Sequence, residues 1–154
     1  MTYYFAYGSN MSRDLMGRQC PGARAIGAAT LPHYRFIITT DGYASIVPQS
    51  GGIVHGVVWR LTPRDVAALN AYESLDSGLY TMTTLPVRTE GRQVAAMAYV
   101  ARSRNDGRPR AGYVDVIVSA ARDWGFPDTY VQSLARWSPS RWRGPRVSDA
   151  GEIA

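Results

Sequence analysis

The chain contains no lysine; all 17 of its basic residues are arginine. Against 12 acidic residues they leave a net charge of +5. Their scatter along the chain favours a solvated surface with a general attraction for anions over a nucleic-acid-binding stripe. Cysteine is nearly absent. A single Cys20 excludes an internal disulfide, and nothing else suggests an oxidising compartment. Its setting, Arg18-Gln19-Cys20-Pro21-Gly22, reads as a turn after a helix holding a structural thiol. Histidine is limited to His33 and His55, each in a strand-like segment. Two isolated imidazoles without ligand spacing make a poor metal site and disfavour a histidine-dependent triad, so neither metal nor cofactor is expected.

Long apolar runs are missing too. The longest, Val94 to Ala101, falls far short of the roughly 20 residues that cross a membrane, and the first residues carry no cationic leader. The expectation is a soluble, cytoplasmic protein with no membrane partner. Nucleotide and hydrolase signatures are absent as well: there is no GxGxxG after a strand, no GxxxxGK[ST], no HExxH and no GxSxG. Glutamate occurs three times, at Glu73, Glu90 and Glu152. Glu90 falls in a hairpin turn and Glu152 in the terminal tail, which leaves Glu73 as the glutamate to explain.

What is present suits one globular domain, since 154 residues at 45% hydrophobic content can bury a single core but not comfortably two. Residues 2 to 7 read as a strand and Ser12 to Arg18 as a short helix. Ala25 to Leu31 and Tyr34 to Thr39 read as extended segments separated by Pro32. Ala44 to Val47 and Ile53 to Leu61 read as two strands with a turn at Ser50-Gly51-Gly52 between them. Thr62-Pro63 supplies an N-cap and first-turn proline for a helix to Tyr72, and Asp65 suits its positive end. Leu79 to Val87 and Gln93 to Val100 form a hairpin closed by Glu90-Gly91. Helices then cover Tyr113 to Trp124 and Pro127 to about Ala135. The domain spans 1–135 and an Arg/Trp-rich tail occupies 136–154. Many short strands with few helices indicate an α+β domain, a small mixed β-barrel with peripheral helices.

Two features carry chemistry. The segment Tyr4-Phe5-Ala6-Tyr7-Gly8-Ser9-Asn10 runs from an apolar strand into a Gly-Ser-Asn turn opening a short helix. Gly8 is expected to permit positive φ and a close backbone approach, Asn10 or Ser12 to cap the helix, and the first amides to receive a carboxylate. Glu73 stands where the preceding helix should end, and the negative end of the helix dipole disfavours its ionised form. Burial there would make it a carboxylic acid able to exchange protons near neutral pH.

Taken in order, these residues resemble a known family. Tyr4-Phe5-Ala6-Tyr7-Gly8-Ser9-Asn10-Met11 is similar to the amino-terminal signature of the gamma-glutamylcyclotransferases. Ala44-Ser45-Ile46 with Pro48-Gln49, and His55-Gly56-Val57-Val58-Trp59, resemble its central strands. Glu73 followed by Ser77-Gly78-Leu79-Tyr80 resembles its acid-bearing turn, and Tyr113 with Gly125-Phe126-Pro127 and Tyr130 resembles its late helices. The match runs from about residue 3 to 134. It implies a gamma-glutamylcyclotransferase-like barrel and conversion of a small γ-glutamyl substrate into 5-oxoproline and a free amine or amino acid. It further implies Glu73 as general acid/base, Tyr4 to Asn10 as substrate cradle, and Tyr80, Tyr99 and Tyr113 as pocket residues.

Two other readings stay beside it. One is a noncatalytic module of the same fold that binds a small acid. The other concerns Arg136 to Arg146, where arginine alternates with tryptophan in a pattern able to stack on bases and contact phosphates. The favoured reading of that tail packs its tryptophans on the domain and leaves its arginines wet, so nucleic acid is not the expected partner. A homo-oligomer is compatible with the sequence, which leaves the oligomeric state open.

Overall fold

Five strands close into a barrel in the order β1-β3-β2-β4-β5. The structure is a computed structural model that describes residues 2–72 and 78–138. Strand β1 (Thr2–Ala6) leads through a 3₁₀ turn (Ser9–Met11) into helix α1 (Arg13–Gln19). Strands β2 (Arg24–Ile38) and β3 (Ala44–Leu61) form a long hairpin, followed by α2 (Pro63–Tyr72). A second hairpin, β4 (Tyr80–Thr89) and β5 (Arg92–Ala101), precedes α3 (Tyr113–Asp123) and α4 (Asp128–Ala135). The α+β barrel with peripheral helices expected from the sequence is the observed architecture.

Neighbouring strands are antiparallel except at one seam, where β1 meets β5 in parallel at Tyr4↔Met97. Across the other seam Thr30 pairs with Arg88, and the Thr89 hydroxyl donates to the Ala28 carbonyl at 3.0 Å. Phe5, Val54, Val58, Val87 and Ala98 are completely buried in one continuous core. Helix α3 adds Tyr113, Val114, Ile117 and Ala121 to it.

The long hairpin corrects the sequence reading. Pro32 does not divide two segments; it pairs with Ile53 inside β2, and the strain is absorbed by a register shift between Pro32 and Tyr34 that leaves His33 at φ 67°. A bulge accommodates the missing N–H without ending the strand. The expected turn at Ser50-Gly51-Gly52 falls inside the span of β3, where Gly51 takes φ 76° and residues 49–52 have no partner in the register. The tight turn at Glu90-Gly91 is as read, with φ of 50° and 74° at the two central residues, the signs a type I′ hairpin requires.

Helix α2 starts as its sequence dictates. The Asp65 carboxylate accepts from Thr62 N at 3.0 Å, from the Thr62 hydroxyl at 2.8 Å and from Gly22 N at 3.3 Å, while Asp65 N donates to Thr62 Oγ1 at 3.2 Å. One buried side chain thus caps α2 and ties it to the segment after α1. Asp65→Ala strands these donors and is expected to cost about 1–3 kcal/mol, read as a lower urea midpoint at unchanged m-value.

Cys20 confirms a structural role. Its thiol is buried and 3.7 Å from the Asp65 carbonyl. Burial, with the Asp65 charge adding to it, pushes the thiol up from 9.0 to about 11. Thiolate is therefore scarce at pH 8, and a disulfide reagent is expected to label the protein only when denaturant is added. Rapid labelling of the native chain at pH 8 would contradict this burial.

No helix among the described residues is long and apolar enough to cross a membrane.

Candidate active site

Alternation along β1 sends Tyr4 to one face and Phe5 to the other, and this sorts the motif. Phe5 is fully buried and stands where Gly56 leaves room for its ring. Ala6 is buried in the strand pair with Val57. Tyr4 instead meets the turn that follows β1. Its hydroxyl accepts from Asn10 Nδ2 at 3.0 Å, and its ring lies edge-on to Tyr99 with centroids 5.8 Å apart.

The turn is fixed by its own backbone and by two tryptophans. Met11 N donates to Gly8 O at 3.1 Å and Ser12 N to Ser9 O at 3.0 Å, which closes the 3₁₀ turn. Trp59 Nε1 donates to Asn10 O at 3.1 Å and Trp124 Nε1 to Met11 O at 2.8 Å. Ser9 and Asn10 are completely buried despite their polarity. One detail differs from the sequence reading: Gly8 has φ −116°, so it does not use positive φ. Of the two candidate caps, Ser12 is the one that caps α1, its hydroxyl accepting from Leu15 N at 3.3 Å.

Tyr99 gathers the remaining groups. The Tyr7 hydroxyl donates to the Tyr99 carbonyl, and the Tyr99 hydroxyl donates to Asn70 Oδ1 on α2 at 2.6 Å. Tyr99 shares a face of β5 with Ala101, which stands opposite Tyr80 on β4. The Tyr80 hydroxyl donates to Ala44 O at 2.6 Å, and Ala44 N donates to the Tyr113 hydroxyl at 3.1 Å. One residue of β3 is therefore held by two tyrosines, through the peptide groups on either side of its Cα. Beside it, Ala101 N donates to the Ser45 hydroxyl at 2.9 Å.

Of the residues singled out in the sequence, Tyr4, Tyr7, Asn10, Tyr80, Tyr99 and Tyr113 form this buried polar assembly, with Gly8 and Ser9 in its turn. Phe5 and Ala6 belong to the strand packing beneath it. Glu73 lies outside the described residues, as do Ser74 to Ser77. Asn70, Trp59 and Trp124 were not singled out as site residues. Asn70 falls at the end of α2, directly before the Tyr72-Glu73 step, and that position was the available signal.

Neither histidine joins the assembly. His55 is half-buried between the rings of Phe126 and Tyr130, with centroids 5.6 and 4.5 Å away, and burial lowers its pKa from 6.5. That environment favours its neutral form. Among the described residues no cluster of His, Cys, Asp or Glu could hold a metal ion. Trp137 packs edge-on against Phe36 at 6.3 Å, while residues 139–154 of the tail lie outside the described residues.

Known proteins share both the sequence pattern and the fold. The model of the AIG2-like family matches residues 53–134. The chain is 28% identical over 160 residues to the gamma-glutamylcyclotransferase of Mus musculus, covering 97% of this chain and 85% of that protein. It is 27% identical over 157 residues to the gamma-glutamylcyclotransferase of Homo sapiens, covering 95% and 83%. A solved gamma-glutamyl cyclotransferase superposes with a TM-score of 0.86 at 24% identity, covering 96% of this chain and 94% of the other, a likeness of fold.

Proposed function

The chain belongs to the AIG2-like family, and on that premise we propose that it is a gamma-glutamylcyclotransferase-type enzyme acting on a small γ-glutamyl compound. The observation that carries the proposal is the buried set of Tyr4, Tyr7, Asn10 and Tyr99, which links the end of β1 and its turn to β5, beside Tyr80 and Tyr113, which hold Ala44 at the start of β3.

The chemistry asks little of the protein in covalent terms. The substrate's own α-amine attacks its γ-carbonyl, a C–N bond forms to close the five-membered ring of 5-oxoproline, and the bond from that carbonyl carbon to the leaving nitrogen breaks. No serine or cysteine nucleophile is required. Holding the γ-glutamyl chain folded brings amine and carbonyl together, and intramolecular attack of this kind gains strongly from orientation. Three needs remain. The attacking amine loses a proton, the leaving nitrogen gains one, and negative charge grows on the carbonyl oxygen. We assign both proton transfers to Glu73. The Gly8 to Asn10 amides are assigned to an anionic oxygen of the substrate, either its α-carboxylate or the developing oxyanion. The tyrosine hydroxyls and Asn10, tied to one another and to backbone, hold the pocket in shape so that donors need no rearrangement during reaction.

We place the reaction in the domain of residues 1–135, outside the Arg/Trp-rich tail, and in the cytoplasm, where a lone buried thiol stays reduced. The test is incubation of the full chain with γ-glutamyl amino acids, γ-glutamyl amines and glutathione. Stoichiometric release of 5-oxoproline and free amine from at least one of them is expected. Saturable binding of γ-glutamyl compounds with no 5-oxoproline formed would favour a noncatalytic acid-binding module instead.

A further inference from the structure

Two arginines pair across the strands where β2 begins and β3 ends. Arg24 on β2 and Arg60 on β3 are direct cross-strand partners, so their side chains leave the sheet on the same side. Like charges in that relation repel, and neither arginine forms an ion pair among the described residues. Arg60 Nε is shielded from solvent and has no hydrogen-bond partner. Both arginines line a cavity of about 310 Å³, completed by Gly22, Leu61 and Thr62. That volume is at the small end of the range for ligand sites.

The neighbouring carboxylate does not resolve the repulsion. Asp65 is buried behind Gly22 and Thr62, and its oxygens are already engaged by Thr62 N, the Thr62 hydroxyl and Gly22 N. It makes no ion pair with either arginine among the described residues, and Arg60 Nε stays without an acceptor.

From these observations we infer that the Arg24–Arg60 cavity is a binding site for a phosphoryl group, either free phosphate or the terminus of a small phosphate monoester. A phosphoryl group brings up to two negative charges and at least three acceptor oxygens, enough to serve two guanidinium forks and match both positive charges at once, where a single carboxylate brings one charge. Arg60, half-buried, supplies its guanidinium from the cavity wall and Arg24, which is exposed, closes over the anion from the rim. The site is separate from the proposed reaction and needs none of its residues.

The experiment is thermal unfolding of the full chain against increasing inorganic phosphate, with sodium chloride at matched ionic strength, acetate and glycerol phosphate as parallel titrations. A ligand that binds only the folded state raises Tm with its concentration. Saturable stabilisation by phosphate beyond that of chloride or acetate is expected, and Arg24→Gln and Arg60→Gln are each expected to weaken it about tenfold or more. Arg24 is exposed, so its variant tests the site even if Arg60→Gln fails to fold. Tighter binding of glycerol phosphate identifies a monoester as the natural occupant; equal or weaker binding identifies free phosphate. Absence of a saturable phosphate effect, or an effect that survives both substitutions, overturns the inference. Production of 5-oxoproline by Arg24→Gln is expected to match that of the parent, which keeps this result independent of the proposed activity.

Discussion

Glu73→Gln is expected to abolish most 5-oxoproline formation, on the order of 100-fold or more in kcat, while leaving the unfolding midpoint and the binding of γ-glutamyl ligand close to those of the parent. The amide keeps the size of the carboxyl group and loses its ability to take up and return a proton, which is the contribution general acid–base catalysis makes to such a step. A loss confined to kcat identifies an interaction realised in the transition state, whereas a rise in KM alone would identify a binding group. Tyr7→Phe and Tyr80→Phe, which each delete one hydrogen bond to a backbone carbonyl, are expected to have smaller effects on turnover. Near-parental activity in Glu73→Gln would move the proton role to another residue.

The largest structural effect is expected at Gly56. A Cβ there would stand 2.4 Å from the Ala6 carbonyl oxygen and 2.6 Å from the Phe5 ring. Neither neighbour can yield cheaply, because Ala6 O belongs to the strand that delivers the Tyr7-to-Asn10 turn and Phe5 is locked in the core. Gly56→Ala should therefore cost about 3 kcal/mol or more, and it should lower activity through displacement of β1. Gly17→Ala is the control. It lies inside α1 with nothing within 4 Å of the added carbon, so it should stabilise the chain by about 0.5–1 kcal/mol. Equal urea midpoints for the two variants would contradict the close approach of β1 and β3.

The sequence was most legible where its signals are local. Thr62, Pro63 and Asp65 announce the start of α2 within four positions, and Glu90-Gly91 announces a hairpin within two. It was least legible where a long-range partner overrides a local breaker. Pro32 and Gly51 look like interruptions, yet β2 and β3 resume their pairing on both sides of the irregularity at His33 and residues 49–52. The aromatic members of the site could be named from the family resemblance. Their anchors could not, since Tyr80 and Tyr113 bind the main chain of Ala44, and backbone groups have no sequence signature. Asn70 escaped notice for a related reason: its partner Tyr99 is distant in sequence and adjacent only once β5 and α2 have met.

The Tyr7 hydroxyl and the Tyr99 carbonyl it binds are 92 residues apart, and β1 has its parallel neighbour only in β5. At a synthesis rate of about 5–20 residues per second, the ribosome makes β1 roughly 5–20 seconds before β5 exists. Through that interval the nascent amino-terminal strand lacks this flank of the barrel, and the bond from Tyr7 to β5 has not formed. Assembly of the tyrosine cluster therefore follows emergence of the second hairpin, and a chain stalled before that hairpin would expose an apolar strand edge for chaperones to cover.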